Sequence, residues 1–309
     1  MEWAEAPTPV PGPGEVLVRT VAAGVNRADL LQREGHYPPP PGVSEIIGLE
    51  ATGRVAELGE GVTRWNPGDE VVALLAGGGY AEYFVAPVGQ LVAPPKGMDL
   101  VSAAAIMEVC ATVLSNMDRV HLSRGETFLV HGGAGGIGSF AIQYAKALGC
   151  RVAVTAGSPE KLEYCRKLGA DILIDYHDDW QEALAVATDD HGADVILDII
   201  GAKYLEQNVS ALAYDGRLII IGMQKGTKGT LNIAALLTKR GTVTATSLRF
   251  RPKTQKAEIC SAVAERVWPL YESGRITLSP ETRIPMDEAT TAHRLLESGE
   301  SIGKLILTL

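Results

Sequence analysis

The sequence predicts an α/β protein: a doubly wound parallel sheet joined to a β-rich domain of short strands. Three observations carry that prediction. Residues 15–95 hold short β-branched pieces separated by Gly, Pro and Asp turns. From residue 127 onward, apolar β-branched runs alternate with helical segments, the pattern of parallel strands covered by helices on both faces. A glycine-rich turn, Gly132 to Gly138, follows the first of those runs and opens a helix.

The elements follow in order. Residues 7–14, PTPVPGPG, are a Pro/Gly lead-in, and Val16 to Val21 reads as a strand bounded by Gly24. The run GHYPPPPG at 35–42 predicts an extended loop, because each proline restricts the residue before it and removes an N–H donor. Strand-like pieces recur near 52–57, 70–75 and 80–85. The Ala-rich stretch from Leu100 to Met117, with Asp99 or Ser102 as its N-cap, predicts one helix. Strands are then expected at 127–131, 151–155, 172–175, 194–199, 217–221 and 242–247. Helices are expected at 137–148, 159–168, 180–188 and 203–212. A helix over roughly 253–273, a final helix and the strand KLILTL close the pattern. There is no internal repeat and no low-complexity segment.

A chain of 309 residues suits two domains. With 28 Lys and Arg against 37 Asp and Glu the formal net charge is −9. That weighs against nucleic acid or an anionic membrane as the main partner, since both need a positive field. Cys110, Cys150, Cys165 and Cys260 form no CxxC pair, so reduced thiols in the cytoplasm are expected. No apolar run approaches the ~20 residues of a membrane span, and the N-terminus does not read as a targeting leader.

Gly133-Ala134-Gly135-Gly136-Ile137-Gly138 fits the dinucleotide fingerprint GxGxxG in the strand-to-helix context that gives it meaning. Gly133 permits the tight turn, Gly135 lets the backbone approach a pyrophosphate, and Gly138 lets the helix pack on the strand. The helix N-terminus then offers unpaired N–H groups and a partial positive charge to the phosphates. Five glycines in seven residues would cost stability without such a use. Rival motifs fail. Ser139 stands where a P-loop needs Lys, none of the nine tyrosines heads a Tyr-x-x-x-Lys pair, and HExxH is absent. Gly299-Glu300-Ser301-Ile302-Gly303 matches GxSxG, but no acid or His follows it to complete a triad.

The second strand of the predicted sheet ends Val154-Thr155-Ala156-Gly157-Ser158 with no carboxylate at its tip. An NAD site needs an acid there for the ribose 2′-hydroxyl. Ser158 and Lys161 instead offer a donor and a positive charge, which suit a 2′-phosphate, so NADPH is the expected cofactor.

Further segments carry a family resemblance: Val25-Asn26-Arg27-Ala28-Asp29, GHYPPPPG, GLEATGRVAELGEGV at 48–62, NPGDEVVAL at 66–74, TAGSPEKLEYCRKLGAD at 155–171, DGRLIIIG at 215–222 and GKLIL at 303–307. With the glycine loop, nearly the whole chain resembles the medium-chain dehydrogenases/reductases. It is most similar to their zinc-independent NADPH:quinone oxidoreductase branch, which includes the zeta-crystallins, and there to the tumour-suppressor-inducible type. The resemblance implies a Rossmann cofactor domain over 111–249 and a GroES-like catalytic domain over 1–110, completed by 250–309. It also implies a nicotinamide cleft between them and a homodimer or homotetramer. Zinc-containing members place a Cys, the His of a Gly-His-Glu segment and a second Cys where this chain has Asn26, Leu49 and Glu108, so no metal is expected. Relatives also carry a first strand that this chain lacks. That leaves a neighbouring strand edge exposed or marks a late start.

Carried over by resemblance, Asn26 and Tyr37 are the catalytic candidates of the cleft. Thr112 is placed at the nicotinamide, and Tyr176, Lys161, Ser158 and Gly157 at the adenosine phosphate end. Ile200, Gly222, Leu248, Arg249 and Lys304 line the cofactor groove. Some relatives have Ser at the position of Gly135 and Pro at that of Met107, so roles tied to that Ser do not transfer. The implied activity is hydride transfer from NADPH to a quinone, with the protein positioning the partners and donating hydrogen bonds to the developing oxyanion. Reduction of an activated C=C bond in an alkenal or enone, and non-catalytic NADPH binding, are the alternatives. His36 reads as a solvated loop residue, His131 as structural and Cys110 as a buried thiol.

Overall fold

The computed structural model describes residues 1–309. In chain order it forms β1 (Glu15–Gly24), α1 (Arg27–Arg33), β2 (Glu50–Leu58), β3 (Glu70–Leu74), β4 (Tyr83–Pro87), β5 (Leu91–Val92), α2 (Leu100–Ala103) and α3 (Met107–Arg119). Next come β6 (Thr127–His131), α4 (Gly136–Leu148), β7 (Arg151–Ala156), α5 (Pro159–Lys167), β8 (Ile172–Asp175), α6 (Trp180–Ala187), β9 (Ala193–Asp198), α7 (Leu205–Ala211), β10 (Leu212–Ile220), α8 (Ile233–Lys239) and β11 (Thr242–Ala245). The chain ends with α9 (Lys253–Arg266), α10 (Trp268–Glu272), β12 (Glu281–Pro285), α11 (Ala289–Ser298) and β13 (Lys304–Thr308). It divides into two compact units, Met1–Thr112 with Leu248–Leu309, and Val113–Ser247.

The first unit is built on a seven-stranded sheet in the order β12-β13-β1-β2-β3-β5, with β4 paired to β1. Most pairings are antiparallel, and β12 with β13 is the parallel exception. Its core interleaves alternate residues of these strands, among them Val16, Val18, Val55, Val71, Phe84, Leu91 and Leu307. Burying each such side chain is worth roughly 1.5–3 kcal/mol.

The second unit holds the predicted parallel sheet, in the order β11-β10-β9-β6-β7-β8. Every neighbouring pair is parallel. This is the doubly wound order with its switch point between β6 and β9, the position where such sheets bind nucleotides. All five residues of β6 are buried, which explains a strand without polar alternation.

Three expectations are corrected. The helix predicted over Leu100–Met117 is two helices. Asp99 caps the first by accepting the N–H groups of Val101 and Ser102, while the Glu50 carboxylate accepts the Glu108 N–H at 2.8 Å in the first turn of the second. The helix predicted over 253–273 breaks at Val267, and Pro269 stands in the first turn of α10, where its missing N–H is tolerated. Residues 281–285, to which no element was assigned, form strand β12, because β13 supplies a parallel edge for them. In addition, the segment predicted as helix 203–212 is a 3₁₀ turn, Ala202–Tyr204, followed by α7.

Candidate functional site

Two constellations carry chemistry, one in each unit. The first is the glycine loop between β6 and α4. Gly135 is the N-cap of α4, and the Ser139 N–H to Gly135 carbonyl bond is the first of the helix. The N–H groups of Gly136, Ile137 and Gly138 therefore have no carbonyl behind them in the helix. No acidic side chain stands in that first turn.

The glycines are used differently. A Cβ on Gly138 would collide with the Gly132 carbonyl and lie 2.5 Å from Gly133 Cα. One on Gly133 would lie 2.8 Å from Cys165 Sγ and 3.0 Å from Val154 Cβ. A Cβ on Gly135 would meet only the Gly132 carbonyl, at 3.7 Å. Gly133 and Gly138 are thus required by packing, and Gly135 leaves open space in front of the helix terminus. That space, with unpaired N–H groups behind it, fits a pyrophosphate.

At the tip of β7, the ring of Tyr176 lies where a Cβ on Gly157 would stand. Ser158 caps α5, its Oγ accepting the Lys161 N–H at 3.3 Å. The hydroxyl keeps its proton for a further acceptor. The nearest strand-tip carboxylate, Asp175, is occupied by the backbone N–H and ring Nδ1 of His177. At the end of β9, the buried Asp198 accepts the N–H groups of Ile200 at 2.7 Å and Gly201 at 3.0 Å, and burial pushes its carboxyl up to about 6. A Cβ on Gly222 would lie 2.7 Å from the Ile199 carbonyl, so this glycine too serves close backbone approach. His131 is structural: its ring bonds Thr155 Oγ1 and Asn208 Oδ1 between the rings of Trp180 and Tyr204. Burial pushes it down to about 4.

The second constellation is a buried polar cluster in the first unit. Glu50 is fully buried and Lys304 nearly so. The Lys304 ammonium donates to Glu50 Oε1 at 2.8 Å, Asn26 Oδ1 at 2.7 Å and the Val25 carbonyl at 3.2 Å. Asn26 Nδ2 donates to Glu50 Oε1 at 2.9 Å, which leaves one amide hydrogen for an outside acceptor. Gly24 is required beside this pair, because a Cβ there would collide with the Glu50 carboxylate. Half-buried Glu108 sits alongside, and desolvation with the charges of Glu50 and Asp29 pushes its carboxyl up to about 8.

Behind Asn26, the buried Asp29 accepts the Asn26 backbone N–H at 2.7 Å and the Tyr80 hydroxyl at 3.0 Å. Tyr80 in turn contacts His293 Nε2 at 3.3 Å. Burial pushes Asp29 up to about 7 and His293 down to about 4. The folded state thus holds a proton on Asp29 that the unfolded chain releases near 3.8. Its stabilising contribution is present below about 3.8 and falls as pH rises through 7. The Asp29→Asn variant is therefore expected to lose about 2 kcal/mol of the stability difference between pH 5.5 and 8.5, read from urea denaturation at the two pH values.

Several candidates are engaged within the first unit. Arg249, almost fully buried, donates to the carbonyls of Ala76 and Tyr37 and to Gln32 Oε1, each at 2.7 Å. Its guanidinium lies 5.1 Å over the Tyr37 ring, which Phe250 meets edge-on at 5.4 Å. Arg249 fastens the proline-rich loop that carries Tyr37, and Lys304 holds Glu50; neither bond set was legible in the spacing. Leu248 is buried and Thr112 half-buried on α3. Cys110 is buried with its Sγ 3.9 Å from the Tyr271 hydroxyl. Sequence reading missed Glu50, Asp29, Tyr80 and His293. The available signal was an acid immediately after Leu49, where zinc relatives have the Glu of their Gly-His-Glu segment.

Among the His, Cys, Asp and Glu side chains, no group of three is placed to hold a metal ion. All four cysteines are free and buried, and no helix is long and apolar enough to cross a membrane.

Comparisons with known proteins agree with this layout. A family described as alcohol dehydrogenase GroES-like domain matches residues 12–96, and one described as zinc-binding dehydrogenase matches residues 136–262. The chain is 34% identical to a quinone oxidoreductase of Pseudomonas aeruginosa, over 99% of this chain and 95% of that protein. It is 30% identical to a 2-haloacrylate reductase of Burkholderia sp., over 99% of this chain and 94% of that one. The crystal structure of Escherichia coli quinone oxidoreductase complexed with NADPH superimposes with a TM-score of 0.89 at 28% identity, covering 100% of this chain and 95% of that one.

Proposed function

Because the chain belongs to the quinone oxidoreductase family of the medium-chain dehydrogenases/reductases, we propose that it reduces a quinone with NADPH and without a metal. The observation that carries this reading is the open helix terminus at Gly135, present in a chain whose relatives include a quinone oxidoreductase complexed with NADPH. The N–H groups of Gly136, Ile137 and Gly138 would hold the pyrophosphate. Ser158, Lys161 and Tyr176 would hold the 2′-phosphate end, where β7 itself ends without a carboxylate. Thr112 is proposed toward the nicotinamide, and Ile200, Gly222 and Leu248 along the cofactor groove. When bound, NADPH supplies a hydride.

The chain's own groups manage charge and position. Asn26, held by Lys304 and Glu50, points one amide hydrogen at an acceptor oxygen, while Arg249 orders the loop that carries Tyr37. Zinc independence is supported by the same cluster: the Lys304 ammonium already supplies the positive charge beside Asn26 and Glu50. The four reduced, buried thiols fit a cytoplasmic location.

A homodimer is proposed through the β11 edge. Strand β11 ends the parallel sheet, and the neighbouring α8 buries none of its residues. Ile233, Leu237 and Tyr214 are 66%, 71% and 62% exposed there, an apolar face a second copy would cover about a twofold axis. The Leu237→Glu variant is expected to sediment as a monomer where the parent sediments as a dimer.

A second reading, reduction of an activated C=C bond, is favoured by the similarity to 2-haloacrylate reductase. NADPH oxidation against a panel of quinones and enals separates the two. Turnover confined to quinones is expected, and turnover confined to enals would reverse the assignment.

A further inference from the structure

We infer that Glu108 is the acid that protonates the reduced acceptor, a catalytic residue working beside Asn26. The inference rests on the proposed function and adds to it the residue that closes the proton balance.

The geometry is specific. The Glu50 carboxylate binds Asn26 through Oε1 and the Glu108 backbone through Oε2, so one buried anion holds both residues in place. Glu50 and Asp29 are fully buried; Glu50 is paired with Lys304, and Asp29 accepts the Asn26 N–H and the Tyr80 hydroxyl. Glu108 differs from them: part of its surface reaches solvent, and no hydrogen bond ties its carboxyl down. Its place on the first turn of α3 is fixed by the backbone bond, and its carboxyl is left without a bonding partner in the chain.

The surroundings keep that carboxyl protonated. Glu50 and Asp29 raise its proton affinity, and Lys304 and Lys256 oppose them without prevailing over desolvation. Arg249 and Cys260 also feel its charge. At neutral pH Glu108 is a carboxylic acid, which Asp or Glu in water is not. An acid poised near working pH is what general acid catalysis requires.

The step balances. A quinone gains a hydride, two electrons and one hydrogen, as NADPH becomes NADP⁺, and the negative charge settles on its carbonyl oxygen. The O–H bond of Glu108 breaks, a new O–H bond forms on that oxygen, and the hydroquinone leaves. The Glu108 carboxylate takes its next proton from water. Asn26 contributes its remaining amide hydrogen to the same oxygen and gives up no proton.

The test uses the full chain as wild type, Glu108→Gln and Glu108→Asp. In the ligand-free protein, difference infrared spectroscopy should show a protonated carboxyl band that titrates near pH 8 and is missing from Glu108→Gln. Glu108→Gln should bind NADPH as tightly as wild type yet lose about 10²-fold or more in kcat with a quinone, and Glu108→Asp should recover part of it. Wild-type kcat should fall about tenfold per pH unit above the titration midpoint, and that limb should vanish in Glu108→Gln. Wild-type kcat and an unchanged alkaline limb in Glu108→Gln would overturn the inference. So would a carboxyl that titrates near 4.5, the ordinary value. A wild type that oxidised NADPH with no quinone would defeat the proposed function itself, a result distinct from either of these.

Discussion

Replacing Lys304 by Met is expected to destabilise the protein by about 3–5 kcal/mol, the cost of leaving one charge of a buried pair without its partner. Lys304 is 7% exposed and Glu50 is 0% exposed. The ammonium makes three bonds, to Glu50, Asn26 and the Val25 carbonyl. Without it, the Glu50 carboxylate keeps only the Asn26 amide and the Glu108 N–H. Water cannot replace the lost charge inside the sheet. The double variant Lys304→Met with Glu50→Gln should recover much of the loss, because it removes the stranded charge. Urea denaturation of the wild type and the two variants measures both effects. A single variant as stable as wild type would show that the pair contributes nothing to the fold.

The second large effect is expected at the glycine loop. Gly138→Ala places a methyl group against the Gly132 carbonyl and Gly133 Cα. Both are backbone atoms of the same loop, so relief requires α4 or the loop itself to move. Overpacking of this kind costs about 1–3 kcal/mol. Where the strain is relieved by moving the loop off its binding position, the same energy lowers NADPH affinity by about 10–100-fold. Gly135→Ala is the control. Its methyl group meets only one atom, at 3.7 Å, so the variant should unfold at the wild-type urea concentration. Its affinity should still fall, because the methyl group occupies the space proposed for the pyrophosphate. Fluorescence titration with NADPH compares the three proteins. Equal affinity in all three would remove the loop from the binding site.

The contrast between these variants explains what could be read from the chain. The path of the glycine loop was legible because its requirement is local: the glycines that shape it stand within seven residues of one another. The parallel sheet was legible because strands buried on both faces must be apolar throughout, as in β6. The polar cluster was only partly legible, because its bonds join distant residues. Glu50 and Lys304 are 254 positions apart, and Asp29 and Tyr80 are 51. Asn26 and Lys304 were named, but no spacing rule joined them through Glu50.

The helix break before Met107 has the same origin. Glu50, 58 residues upstream, accepts the Glu108 N–H and helps start a new helix inside a run that has continuous helical propensity. Arg249 shows the limit from the other side. Resemblance assigned it to the cofactor groove, while the fold commits three of its donors to Ala76, Tyr37 and Gln32. These bonds join residues more than 170 positions apart, which no local pattern signals.

In the proposed function, the amide groups at the head of α4 hold NADPH for a hydride transfer that needs no metal. Stopped-flow absorbance of chelator-treated protein mixed with NADPH and a quinone tests it directly. Rapid loss of the NADPH signal in the metal-free protein and a much slower reaction with NADH are expected. Turnover that appears only after zinc is added, or that runs faster with NADH, would contradict it.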